Sequence, residues 1–266
     1  MSSPENPLPI SNPVETLPAP SEPQRRFPLW GLREVALVVA VAVIALMACS
    51  FVWLLAVTLV RHGRMLKPED LASDPLIVLP PQVAAYGLTF AFIRRMLVHH
   101  FQSPFAEGMG WRWPRKWLAF PFAGALLAAS VLLVMSQLPS PGDLPIEHFF
   151  RGPLDAWMMA GFGVLIAPVA EEILFRGLLF PALAVRVGTL LSVVLTALSF
   201  AVLHATQLGR AWSPLLMLFM VGVVLTVVRW RARSLAASVL THMGYNAAMF
   251  VELFWATRGF HDLAGK

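Results

Sequence analysis

The chain has 266 residues, of which 58% are hydrophobic and only 13% charged, with a formal net charge of +5. Soluble domains carry about 25% charged residues, so this much apolar surface needs lipid as its solvent and excludes an ordinary water-soluble fold. The basic residues form no stripe on a soluble face but fall between apolar runs, which argues against a nucleic-acid partner and for a membrane topology.

Residues 1–28 hold eight prolines among Ser, Asn and Glu, a composition that predicts a disordered, partly extended tail. Seven apolar stretches follow, at about 34–60, 75–97, 116–137, 157–185, 189–207, 212–230 and 234–256. At 1.5 Å per residue each predicts a helix able to cross a hydrocarbon core of about 30 Å. The expected fold class is therefore all-α, a polytopic membrane helix bundle of about seven transmembrane helices. The first stretch, Val35 to Val60, is too long for a signal h-region and has no small-residue cleavage site. Cys49, the single cysteine, can form neither an internal disulfide nor a paired-cysteine metal site. No internal repeat is visible, which weighs against inverted-repeat transporters.

Orientation follows from the loops. With the tail inside, the cytoplasmic segments hold Arg25, Arg26, Arg33, Arg94, Arg95, Arg112, Arg115, Lys116, Arg186, Arg229, Arg231 and Arg233. The outer segments hold Arg61, Arg64, Lys67, Arg151, Arg210, Arg258 and Lys266, fewer than the inner set, so the tail is expected to be cytoplasmic. Trp111, Trp113 and Trp117 alternate with basic residues before the third stretch, as an interfacial anchor does.

The fourth, fifth and seventh stretches carry polar residues that a lipid-facing helix would not. A charge at mid-bilayer costs about 3 kcal/mol even on the lenient insertion scale. Glu171 and Glu172 stand side by side, with Arg176 four residues after the second, one helical face away from neutralising it. That pairing accounts for Glu172 and leaves Glu171 unexplained. With a turn at Gly188, Glu171 lies 17 residues before it and His204 lies 16 after it. Both are then about 25 Å along antiparallel helices and share a depth. A second turn, near Arg231 to Ser234, precedes His242 and Asn246, whose i,i+4 spacing puts them on one face. Asn246 is expected near the depth of Glu171, and His242 nearer the turn.

Two carboxylates, two imidazoles and a carboxamide suit hydrolysis. Such a reaction needs an activated water, stabilisation of the oxyanion and a proton for the leaving amine. Glu171, His204 and His242 are also candidate ligands for a divalent metal such as zinc, although nothing in their spacing requires one. An H-E-x-x-H helix pair, a G-x-S-x-G elbow and a G-x-G-D signature are all absent.

The order Glu171-Glu172-x-x-x-Arg176, Phe200-x-x-x-His204, His242-x-x-x-Asn246 on apolar helices resembles the CPBP family. That family comprises CAAX prenyl protease type 2 enzymes, bacteriocin-processing relatives and lysostaphin-resistance-protein-A-like members. The resemblance spans about residues 157–250. It implies an intramembrane endopeptidase that cleaves a membrane-anchored or lipidated peptide or protein through a glutamate-activated water. By the same resemblance Glu171 is the base, with Glu172 and Arg176 supporting it. His204 helps bind or activate the water, directly or through a metal, and His242 and Asn246 stabilise the oxyanion. A non-catalytic membrane scaffold or bacteriocin-immunity protein that keeps the motif is the alternative. The implied organisation is a tail over 1–30, three helices with an interfacial segment over 31–150, and the catalytic helices over 151–260. The implied setting is a bacterial plasma membrane, with the bilayer and a peptide substrate as partners.

Overall fold

A computed structural model describes residues 27–61, 73–139, 142 and 144–263. The predicted tail, apart from its last residues, lies outside that range, as do Arg25, Arg26, Arg64, Lys67 and Lys266. Among the described residues every regular element is helical. In chain order the α-helices are α1 (Leu32–Val60), α2 (Pro75–His100), α3 (Phe105–Gly108), α4 (Ala119–Met135), α5 (Pro153–Val187), α6 (Thr189–Leu203), α7 (Trp212–Ala232) and α8 (Leu235–Ala256), with a short 3-10 turn at Pro145–Phe149 before α5.

The helix ends follow local chemistry. Asp74 caps α2, its side chain accepting from the Leu76 N–H at 2.9 Å, with Pro75 at the first helical position where its missing N–H costs nothing. Ser234 caps α8 in the same way through the Ala237 N–H. Gly188 turns the chain between α5 and α6 at φ +79°, the break expected there. Arg233 makes the α7–α8 turn at φ +49°.

Four helices, α1, α2, α5 and α7, are long and apolar enough to cross a membrane. The third and fifth predicted spans are shorter than expected: α4 has 17 residues and α6 has 15. At 1.5 Å per residue these reach only about 26 and 23 Å. The α6 helix stops early because the backbone turns at His204, and residues 204–210 run as successive turns. The α8 helix has the length, but Ser238, Thr241, His242, Tyr245 and Asn246 lower its apolarity.

Pairing within the bundle is mainly α1 on α2, α6 on α7, and α4 on α8. The α4–α8 contact is backbone to backbone. A Cβ on Gly124 would stand 2.0 Å from the Thr241 carbonyl oxygen, and one on Gly244 would stand 2.1 Å from that of Pro121. These two glycines let α8 approach closely enough to present His242 and Asn246 on its other face. Gly244→Ala should therefore force the helices apart at a cost of about 1–3 kcal/mol. Thermal unfolding in detergent should show a melting temperature several degrees lower; an unchanged value would contradict this packing.

Candidate active site

The α5 helix is not uniform. It widens into π-helical turns at Phe162–Ile166 and Ile173–Leu179, each just before a proline, Pro168 or Pro181. Proline has no N–H to give the carbonyl four residues back, and its ring crowds that carbonyl, so the turn opens. Each opening releases a further backbone oxygen. Ala167 N–H bonds Phe162 instead of Gly163, and Phe180 N–H bonds Phe175 instead of Arg176. The freed Gly163 carbonyl accepts from Nδ2 of Asn246 at 2.6 Å, and the freed Arg176 carbonyl accepts from Nε of Arg229 at 3.2 Å. Thus α5 is tied to α8 and α7 through the two places where its own ladder fails. Glu171 and Glu172 lie between them.

Glu172 and Arg176 are both fully buried, 0% exposed. Nη1 of Arg176 donates to Oε1 of Glu172 at 2.7 Å, the pairing expected from their spacing. Glu172 also receives the Ser238 hydroxyl and lies 3.0 Å from Nδ1 of His242. Arg176 donates further to the Thr226 hydroxyl and the Gly222 carbonyl, and its guanidinium lies 4.6 Å from the centre of the Phe200 ring. Every face of the pair is therefore occupied, which is the condition under which buried charges are tolerated.

Glu171 points the other way, toward a cavity of about 270 Å³ that it shares with Tyr86, His204, His242 and Asn246. Its Oε1 lies 3.8 Å from Nε2 of His204, and its Oε2 lies 3.8 Å from Nε2 of His242. His204 holds its ring by donating Nδ1–H to the Phe200 carbonyl at 2.8 Å. The expected meeting of Glu171 and His204 is thus present. A smaller apolar cleft of about 150 Å³, walled by Ala42, Phe90, Ile93 and Leu174, reaches the same two residues from the side.

The depth order on α8 differs from expectation. His242 stands level with Glu171 and Glu172, and Asn246 reaches past them to Gly163. Equal depth for the two turns is the faulty premise. Leu235 packs against Gly177, 11 residues before Gly188, so the α7–α8 turn is recessed relative to the α5–α6 turn. The loop at Gly110 to Arg112 covers it, with the Gly110 carbonyl accepting from Leu235 N–H and the Arg112 carbonyl from the Ser234 hydroxyl.

Several residues of the site carry no sequence motif. Ser238 completes the row 238, 242, 246 on α8 and was detectable by that i,i+4 spacing. Tyr86 and Gln82 reach the cavity from α2, where nothing in the sequence marks them. Among the described residues no three His, Cys, Asp or Glu side chains have the arrangement of a metal site.

Residues 153–248 match a family model described as type II CAAX prenyl endopeptidase, Rce1-like. This is a protease family within the CPBP/CAAX group. All six residues singled out in the sequence fall inside the match. No curated protein and no solved structure matches the chain.

The pairing at Glu172 makes a thermodynamic prediction. Arg176→Met should cost about 3–5 kcal/mol of stability, because it leaves a buried carboxylate without its counter-charge. The double variant Glu172→Gln/Arg176→Met should cost less than that single change. A double-mutant cycle by denaturant unfolding in micelles measures both; additive losses would contradict the coupling.

Proposed function

We propose, from the match of residues 153–248 to the type II CAAX prenyl endopeptidase family model, that this chain is an intramembrane endopeptidase. Its substrate is a membrane-anchored or lipidated peptide or protein. The observation that carries the reading is the placement of Glu171, with the Nε2 atoms of His204 and His242 each 3.8 Å from one of its oxygens. That distance is too long for a direct hydrogen bond and suits a water about 2.8 Å from each partner.

The orientation of His204 supports the same reading. A carbonyl only accepts, so Nδ1 of His204 donates to Phe200 and Nε2 is left facing Glu171. A water between Nε2 and the Glu171 carboxylate is positioned by both and oriented for attack. Glu171 takes the water proton as its oxygen bonds to the scissile carbonyl carbon, and returns it to the amine as the C–N bond breaks. Asn246 and His242 are assigned to the oxyanion, with Nδ1 of His242 held against Glu172. Arg176 and Ser238 hold Glu172 in place. The lateral apolar cleft suits the lipid or apolar flank of a tethered substrate. We place the basic end on the cytoplasmic side of a bacterial plasma membrane, by the distribution of Lys and Arg and the short loops.

Zinc or another divalent ion would draw on Glu171, His204 and His242, and would supply Lewis acidity. Among the described residues these donors do not gather in the arrangement of a metal site.

Reconstituted protein should cleave a lipidated membrane peptide. Glu171→Gln should lower turnover by about 10²–10⁴-fold, the range for loss of a general base, with unfolding unchanged. Undiminished turnover would remove Glu171 from that role. Protein dialysed against a chelator should retain its activity; stoichiometric zinc lost together with activity in His204→Ala would replace this mechanism with a metal-dependent one.

A further inference from the structure

The recess of the α7–α8 turn behind the α5–α6 hairpin leaves a further cavity, of about 600 Å³, whose lining does not include Glu171. Three guanidinium groups line it, Arg112, Arg229 and Arg233, against the carboxylate of Glu107, so it is net positive. Arg229 is only 5% exposed. Its hydrogen bonds go to neutral groups: Nε to the Arg176 carbonyl, and Nη2 to the Met109 carbonyl at 3.3 Å. Among the described residues no carboxylate comes within ion-pair distance of it. A guanidinium removed from water without a counter-charge is costly, and here two more guanidinium groups share its cavity.

We infer that this cavity binds a phosphate group, supplied at the membrane face by the headgroup of an anionic phospholipid. Guanidinium forks match phosphate oxygens in pairs, which an ammonium cannot do. The cavity lies at the end of the bundle where α1 begins and α5 and α7 end; Arg186 and Arg231 stand at the same end, with Glu34 in the first turn of α1. Basic pockets between helices at such a face take anionic headgroups. Much of the rest of the wall is apolar, with Phe180, Val185 and Trp230, and can accept the first carbons beyond a headgroup phosphate. Its volume exceeds what a phosphate alone would fill. The site is also joined to the centre of the bundle: Arg229, which would hold the phosphate, is hydrogen-bonded to the backbone of Arg176, whose side chain holds Glu172. None of this depends on the protease reading, and the test below does not read activity.

Full-length protein in neutral detergent is offered short-chain phosphatidylglycerol, phosphatidylcholine or inorganic phosphate, and retention is read by native mass spectrometry. Phosphatidylglycerol should be retained over phosphatidylcholine. Arg112→Gln/Arg233→Gln, which leaves Arg229 and the helix contacts in place, should weaken phosphatidylglycerol retention about thirtyfold, equivalent to about 1 kcal/mol for each arginine. Arg112→Lys/Arg233→Lys should restore most of it, which separates charge from fold. Displacement of the lipid by an equal concentration of inorganic phosphate would support the phosphate site and assign it to the free anion. Equal retention of both lipids, or of phosphatidylglycerol by wild type and the Gln variant, would overturn the proposal.

Discussion

The arrangement of this bundle depends on how it accommodates two charges, Glu172 and Arg176, that have no access to water. A buried pair is tolerated only when its remaining donors and acceptors are met. Meeting them draws on three other helices. Ser238 and His242 come from α8, Thr226 and the Gly222 carbonyl from α7, and the Phe200 ring from α6. Helices that lipid alone would hold together only weakly are thus cross-linked through one polar centre. The same contacts orient His242, and with it the far side of the candidate site.

The prolines of α5 make this geometry possible. Pro168 and Pro181 disturb the helix on either side of the Glu171-Glu172 pair, and each disturbance frees a carbonyl that a neighbouring helix uses. Asn246 is fixed by one and Arg229 by the other. Local helix stability is given up where tertiary bonds replace it, a pattern expected of functional segments. Glu171 then faces the cavity while Glu172, one residue on, faces the pair, so adjacent carboxylates occupy different environments.

Much of this was legible in the sequence because charges in apolar helices have few explanations. The i,i+4 spacing gave the Glu172–Arg176 pair, and counting residues from Gly188 brought Glu171 to His204. Counting failed for α8 because it assumed turns at equal depth, and only the contact of Leu235 with Gly177 reveals the recess. Tyr86 and Gln82 could not be found, since a polar residue on α2 becomes informative only when α2 is docked beside α5. Arg229 read as one more basic residue at a cytoplasmic helix end. Its burial follows from the same recess, which no periodicity encodes.

The family match covers the helices that carry the polar centre and leaves α1 and α2, which form one wall of the lateral cleft, outside it. The central claim is that Glu171 makes this a peptide-hydrolysing site. The most direct measurement is a comparison of membrane-peptide termini between cells carrying wild-type protein and cells carrying Glu171→Gln at equal abundance. The account predicts a discrete set of new termini, at membrane-tethered peptides, present in the first and missing from the second. Identical termini in the two would contradict it.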